Sequence, residues 1–540
     1  MTRQYDTPRA FSAAVTNRRS FLQAGGIATL ALLGPGALSA CTSAVGQQRR
    51  AAGAATGPQR GGTLRVGSTA DIVPAAFLTN TAANPLVIGL AYESLVRYPH
   101  DRVEATPWLA TAWEFSDDGL SLALDLRDGV TFHSGRPFTS KDAEFSIRTY
   151  GSPTWTAQLQ STAAAIESYD TSDPRRLVLH FKHYLGNIFD LLDTVPILDS
   201  ESIDALASGE SFIGTGPFSL TNWTPKTSIE FERYDGYWVA DRPYLDKVAV
   251  QIVPDPQSLV NHLRSGSIDV ASGLTYRDSE TFSTSAGYSV TDLEGAEVQT
   301  YVGANVQHPG LSDVSVRRAI AYALDRERII SEVFRGVGYP INLPWPKSSP
   351  AFDETRNATY TRDVARARQE LGSRRVATVP LTYPANSPVH KLTSEIVQAN
   401  LAEIGIPVTL DPVEGTLFTQ QLIGQQFKGL WVTFHSWAQY IPSTLTVSAY
   451  PFNARKNSSH FASESYTRAA EEAWKVKEGT SAEAIERYRA VSDELLDALF
   501  LIEIGVVFNR LTSSAAVQDL AWTKRSELLL TDAYLTGQEG

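Results

Sequence analysis

The sequence predicts a mixed α/β protein with more than one domain, and three features carry that expectation. The chain has 540 residues, whereas a single hydrophobic core stops growing at roughly 250–300 residues. Stretches of apolar alternation suited to strands are interspersed with stretches of helical spacing. Capping and turn residues separate the two kinds of segment.

Gly61-Gly62-Thr63-Leu64-Arg65-Val66-Gly67 reads as a short strand opening at a double glycine, followed by polar loop residues through Asn84. Leu86, Leu90, Ser94 and Leu95 then share a helical face. Between Trp113 and Phe132 a pair of strands is expected, with Leu120, Leu122, Leu124 and Leu126 alternating with Ser121, Ala123 and Asp125 and a turn signal at Asp128-Gly129. Thr139-Ser140-Lys141-Asp142 matches a capping box ahead of Ala143, Phe145 and Ile147, so a helix begins there. Asp173-Pro174-Arg175-Arg176 marks a turn before the strand Leu177-Val178-Leu179-His180-Phe181. Val316, Ile320, Ala323 and Leu324 lie on one helical face; Asp325 then caps a second helix carrying Ile329, Ile330, Val333 and Phe334 and stopping at Gly336.

Composition narrows the function. Hydrophobic residues make up 43% and charged residues 20%, which suits a packed core rather than a disordered chain. A net charge of −12 sets an unfavourable field against a polyphosphate partner, so nucleic acid is not expected. The chain has a single cysteine, Cys41, which rules out an intrachain disulfide and a thiolate metal cluster. No Gly-x-Ser-x-Gly elbow, His-Glu-x-x-His, Walker A or dinucleotide fingerprint is present, so no cofactor and no enzymatic activity are expected. A hydrolase remains the weaker reading, because 59 acidic residues guarantee chance carboxylate pairs. His180 and His183 belong to an expected strand that points them to opposite faces, without an acidic partner, so no metal site is expected.

The N-terminus reads as an export signal with an anchor. Arg3, Arg9, Arg18 and Arg19 precede the small-residue apolar run Ala24 to Ala40, and Gly34-Pro35-Gly36 interrupts that run, which counts against a retained spanning helix. Asn17-Arg18-Arg19-Ser20-Phe21-Leu22-Gln23 resembles the twin-arginine export signal, with Asn and Gln departing from the usual residues. Leu38-Ser39-Ala40-Cys41 resembles the bacterial lipobox, which implies cleavage after residue 40 and lipidation of Cys41. Residues 41–60, rich in Ala, Gly, Gln and Arg, are then a flexible tether with a reach of roughly 25 Å.

The body resembles the extracytoplasmic solute-binding proteins of family 5, the peptide/nickel class serving ATP-driven importers. The resemblance rests on FHSGRPFTSKDAEFS (132–146), Gly214-Thr215-Gly216-Pro217-Phe218, Arg233-Tyr234-Asp235-Gly236-Tyr237-Trp238 and Pro243-Tyr244-Leu245-Asp246-Lys247-Val248. Leu263-Arg264-Ser265-Gly266-Ser267-Ile268-Asp269 and the run from Asp313 to Arg326 continue it in the family's order. It implies a two-lobe, type II periplasmic-binding-protein-like clamshell: lobe I from 61–104, 214–303 and 506–540, an inserted domain at 105–213, and lobe II at 304–505. It further implies a monomer, exported and lipid-anchored to the outer face of the cytoplasmic membrane, delivering a small solute to a permease with a separate ATPase.

The same resemblance nominates ligand-binding residues. Residues 431–444, WVTFHSWAQYIPST, stand where the family has an aromatic followed by an acid that pairs with a peptide's α-ammonium. Trp437 and Tyr440 keep the aromatics, but Gln439 and its neighbours supply no acid. Two readings follow: another Asp or Glu holds the amine, or the solute has no amine, as in a neutral oligosaccharide or blocked peptide. His435 lies in the same stretch, Tyr92 where the family's first lobe approaches the cleft, and Trp345, between Pro344 and Pro346, is expected as an exposed-loop aromatic at the cleft mouth. A solute sensor on the same scaffold is the alternative to an import receptor.

Overall fold

The computed structural model describes residues 57–537 except 80–82, 156 and 436–439. The expected signal peptide, Cys41, Trp437 and Gln439 lie outside the described residues. A mixed sheet of eleven strands runs through the body. Its main path is ordered Val408–Val413, Val379–Pro384, Leu430–His435, Tyr288–Ala304, Leu501–Ser514, Val270–Ser272, Thr63–Ser68, Lys247–Ile252, Ser228–Arg233 and Phe218–Thr224.

Each half of this sheet carries parallel pairs with helices in the connections, although the edge strands Ser228–Arg233 and Phe218–Thr224 pair antiparallel. Thr63–Ser68 pairs in parallel with Lys247–Ile252 and Val270–Ser272, and the helix Pro256–Ser265 connects the latter two. At the other end Val379–Pro384 pairs in parallel with Val408–Val413 and Leu430–His435, with helices Pro388–Glu403 and Gly415–Gly424 between them. Parallel strands require such crossovers, which is why strand and helix patterns alternate in these stretches.

Two long antiparallel strands link the ends. Tyr288–Ala304 and Leu501–Ser514 pair along nearly their whole lengths, with register shifts at Asp292/Glu297 and Thr300/Tyr301. The second reads LIEIGVVFNRLTSS, and Leu501 to Val507 are all buried, as expected of a strand covered on both faces. Hydrophobic clusters change over along this pair. Leu293, Ala296 and Leu511 belong to a first core that also holds Leu64, Leu124 and Leu530. Val298, Val302, Ile502 and Val507 belong to a second core with Ile320, Val397 and Leu496. Glu297 therefore sits at the changeover.

A separate antiparallel sheet of four strands, Ala110–Phe115, Ser121–Leu126, Arg176–Phe181 and Ile166–Asp173, packs its apolar face into the first core. Leu122, Leu124 and Leu126 point inward as their alternation predicts, while Leu120 is exposed. The hairpin turns between Phe115 and Ser121, so Asp128-Gly129 follows the second strand instead of joining the pair. The capping box at Thr139 and Asp142 opens the helix Ser140–Tyr150 as expected. Asp325 likewise caps Arg326–Glu332, a helix that stops short of Gly336. The helix expected over Leu86 to Leu95 spans only Asn84–Ala91, because the backbone turns extended at Tyr92 and delivers Glu93 into the first core.

Gly303 shows how tightly the crossing strand is packed. A Cβ there would lie 2.0 Å from the indole of Trp431, which is fully buried and stacks on Phe427 at 4.6 Å between ring centroids. Gly303→Ala should force the indole out of its stack and lower stability by about 2 kcal/mol, measured by urea denaturation; an unchanged midpoint would show that the strand yields instead.

Candidate functional site

The wall on the first-core side is built around one buried carboxylate. Glu93 accepts hydrogen bonds from Trp108 Nε1 at 2.9 Å, Tyr237 Oη at 3.0 Å, Trp238 Nε1 at 2.9 Å and Thr215 Oγ1 at 3.1 Å. Burial raises its pKa, and Arg97 together with the hydrogen bonds from Trp238, Tyr237 and Thr215 opposes the shift. The Gly-Thr-Gly block is shaped by the same contact: a Cβ on Gly214 would lie 2.0 Å from the Ala91 carbonyl, and one on Gly216 2.7 Å from Leu90 O. Only glycine lets this backbone approach closely enough for Thr215 to reach Glu93. Tyr92 itself packs into the first core against Phe77, 2% exposed, with its hydroxyl buried and unpartnered.

On the second-core side His435 ends the strand Leu430–His435, with Nε2 3.0 Å from Glu503 Oε1. Both side chains are buried, and the imidazole packs edge-on against Phe452. Glu503 lies on the second crossing strand, so this pair ties the end of one strand to its neighbour but one. Trp345 departs from the expectation of an exposed aromatic. It is 2% exposed, because its ring packs into the second core and its Nε1 donates to Ser492 Oγ at 2.9 Å.

Trp345 nevertheless borders a small cavity of about 20 Å³ at the changeover between the cores, with Glu297, Gln299, Ser348 and Tyr440. Val103 borders this cavity and also a larger one of about 680 Å³. The larger cavity is walled by Tyr98, Trp113, Phe115, Ile188 and Phe189 on one side and by Ile441 and residues 477–483 on the other. Its volume falls within the range of small-molecule sites; the first wall is aromatic and aliphatic, whereas residues 477–483 bring Lys477, Glu478, Thr480, Ser481 and Glu483 to the other. Tyr98 and Tyr440 meet edge to face where the two cavities adjoin, with ring centroids 5.9 Å apart. An open groove of about 900 Å³ between Arg455 and Arg487 is larger, but every residue lining it comes from one stretch of the second-core side, so no second wall closes over it.

A polar tie holds the two walls together beside the larger cavity. Asp190, fully buried on the helix Ile188–Thr194, accepts from Tyr98 Oη at 3.1 Å, from the Ile441 backbone N–H at 3.0 Å and from Thr444 Oγ1 at 2.6 Å. Asn187 donates to Thr444 Oγ1 at 3.0 Å and receives Trp474 Nε1 at 2.8 Å. Nearby, Arg525 is buried between Asp193 and Glu527, which carries its charge. Burial pushes Asp190 up to about 7, against the hydrogen bonds from Thr444, Ile441 and Tyr98.

Of the residues nominated from sequence, Tyr440 and Trp345 border the small cavity and not the larger one, while Tyr92 and His435 are buried in their respective walls. Glu297, Gln299, Tyr98 and Asp190 were not nominated. A signal for the first two was present: in Ala296-Glu297-Val298-Gln299-Thr300 the polar pair alternates with buried residues on one face of a strand. Asp190 gave no local signal, since its partners Tyr98 and Thr444 are 92 and 254 residues away.

This architecture is that of the type II periplasmic binding proteins. It is similar to the solved structure of AgaA, a periplasmic binding protein from A. tumefaciens R10 in complex with agropinic acid, with a TM-score of 0.77, 22% identity, and coverage of 88% of this chain and 99% of that one. Residues 104–459 match the model of the bacterial extracellular solute-binding proteins, family 5 Middle, and the chain belongs to that family. It is 28% identical over 323 residues to the oligopeptide-binding protein AppA of Bacillus subtilis, spanning 57% of this chain but only 58% of that protein's length. It is 25% identical over 374 residues to the dipeptide-binding protein of Escherichia coli, spanning 63% of this chain and 69% of that protein. Among the described residues no helix is long and apolar enough to cross a membrane, and no group of His, Cys, Asp and Glu is arranged to hold a metal ion.

Two predictions test the walls. Glu93→Ala strands four donors, those of Tyr237 and Thr215 on buried residues and those of Trp108 and Trp238 on half-buried ones, and should cost about 3 kcal/mol in chemical denaturation. For Asp190, the folded protein holds a proton between the usual carboxylate range near pH 4 and about pH 7 that the unfolded chain has released. Its contribution to stability is therefore fully present below about pH 4 and lost as pH rises through about 7. Asp190→Asn cannot ionise, so its melting temperature should gain on the wild type as pH is raised from 4.5 to 7.5; a constant difference would refute the assignment.

Proposed function

We propose that this chain is the substrate-binding component of an ATP-driven importer, capturing a small solute of the peptide class between its two cores and delivering it to a membrane permease. The observation that carries the reading is the cavity between Trp113, Phe115 and Phe189 on one side and Ile441 with residues 477–483 on the other. A site divided between two bodies that are linked through paired strands suits hinge closure, which buries a flexible solute more fully than a fixed groove. Family membership supports the role, and the names of AppA and the Escherichia coli relative support the solute class. The lobes are proposed as 61–104, 214–303 and 506–540 for the first, 304–505 for the second, and 105–213 as the insert.

The protein is proposed to act as an exported monomer tethered by lipid at Cys41, following a twin-arginine-type signal over residues 17–23. Stable anchoring takes more than one acyl chain, and a lipidated N-terminal cysteine supplies that. Purification followed by mass spectrometry of the bound solute, together with loss of uptake of that solute on deletion of the gene, tests the receptor role. Uptake that persists for every solute bound would favour a sensor. Cys41→Ser should move the protein from the membrane fraction to the soluble exported fraction, with binding retained; membrane association of the variant would refute the anchor.

A further inference from the structure

Asp190 is gripped from both walls at once. Its Oδ1 accepts from Tyr98 Oη at 3.1 Å on the first-core side, and its Oδ2 accepts from the Ile441 N–H at 3.0 Å and from Thr444 Oγ1 at 2.6 Å on the second-core side. We propose that this contact is a proton-sensitive latch: the walls close over the solute with Asp190 protonated and separate as its carboxyl group ionises. The proposal deepens the receptor reading above and rests on it for the identity of the moving walls.

The latch sits in a contact of close approach between the walls. Asn187, three residues earlier, donates to Thr444 Oγ1 at 3.0 Å and accepts from Trp474 Nε1 at 2.8 Å. The Gly186 N–H donates to the Trp474 carbonyl at 3.2 Å. A Cβ on Gly479 would lie 2.4 Å from the Gly186 carbonyl oxygen, so glycine is what lets the two backbones meet. Among these partners Asp190 alone can change charge near neutral pH.

Its surroundings offer an ionised carboxylate little support. All three donors are neutral groups, and Asp190 is fully buried. On its own helix the nearest charge is Asp193, a like charge whose counter-ion Arg525 is shared with Glu527, while Arg97 also acts on Asp193. Lys524 is drawn more strongly to Glu297, Asp193 and Asp101 than to Asp190. The phenols facing it, Tyr98, Tyr440 and Tyr488, are all raised by burial and stay neutral. An ionised Asp190 is thus a buried charge held by dipoles beside a like charge, and separation of the walls returns it to water.

Burial pushes the carboxyl up to about 7 in the closed form, whereas hydration in the open form returns it toward the ordinary range near 4. Between those values the closed form holds a proton that the open form has released. Support for closure is therefore fully present below about pH 4 and lost as pH rises through about 7. Solute in the larger cavity is retained in acid and let go toward alkaline pH.

The test reads the distance between the walls. Nitroxide labels are placed at Asp117→Cys and Glu486→Cys, both exposed, in a chain carrying Cys41→Ser, and pulsed electron paramagnetic resonance is recorded without solute. From pH 5.0 to 8.0 the ratio of short-distance to long-distance populations should fall by about tenfold or more. Asp190→Asn cannot ionise and should keep the short distance throughout. Tyr98→Phe removes a donor that favours the ionised form and should move the midpoint to higher pH. A wild-type distance independent of pH, or the same pH dependence in Asp190→Asn, overturns the latch; if Asp190→Asn does not fold, an unshifted midpoint in Tyr98→Phe overturns it. Calorimetric titration with a mixed tri- to pentapeptide library at pH 5.0 separates the two readings. Library binding with pH-independent distances removes the latch alone, and pH-dependent distances without library binding remove the peptide-class reading alone.

Discussion

The paired strands Tyr288–Ala304 and Leu501–Ser514 are the constraint on which the rest of the molecule depends. They lie at the centre of the large sheet, and the hydrophobic core changes over along them between Ala296 and Val298 on one strand and Val507 and Leu511 on the other. A strand buried on both faces has little room for polar side chains; of those that these two strands keep, some are matched while others, Thr300 Oγ1 and Thr512 Oγ1 among them, have no protein partner. Glu503 is matched by His435, Glu297 by Ser348, and Gln299 is left with an oxygen directed to no protein donor. The register shifts at Asp292/Glu297 and Thr300/Tyr301 fall on either side of that last pair. Irregularities of this kind re-aim side chains, and here they bracket the residues that border the small cavity.

Buried charge is the second organising element, and in each case the cost of desolvation is offset by donors drawn from distant parts of the chain. Glu93 gathers two tryptophans, a tyrosine and a threonine, and thereby ties the stretches around residues 108, 215 and 237 into one wall. Arg136 does comparable work on the outer side of the same region, pairing with Asp142 and Asp199. Three of the recognisable sequence blocks, 132–146, 214–218 and 233–238, thus supply parts of these networks, and their short glycine, aromatic and acidic patterns serve close backbone approach and hydrogen bonding. Asp190 differs, because its donors come from both walls of the larger cavity. Its contact with Ile441 and Thr444 makes the approach of the walls a discrete hydrogen-bonded state.

The sequence by itself determined what local patterns encode. Alternating leucines placed the strand Ser121–Leu126, the capping box started the helix Ser140–Tyr150, Asp325 capped Arg326–Glu332, and the ordered blocks identified the family and with it the class of fold. These features depend on neighbours a few residues apart, where periodicity and capping chemistry are sufficient. Only the tertiary structure decided that Trp345 is buried against Ser492, that Tyr92 lies within the first core, and that Glu297, Gln299 and Tyr440 border one cavity. Contacts of that kind depend on strand register, on a bulge and on which side chain fills the space opposite, and no window of sequence contains both partners. The missing acid near Tyr440 was legible as an absence in the sequence alone.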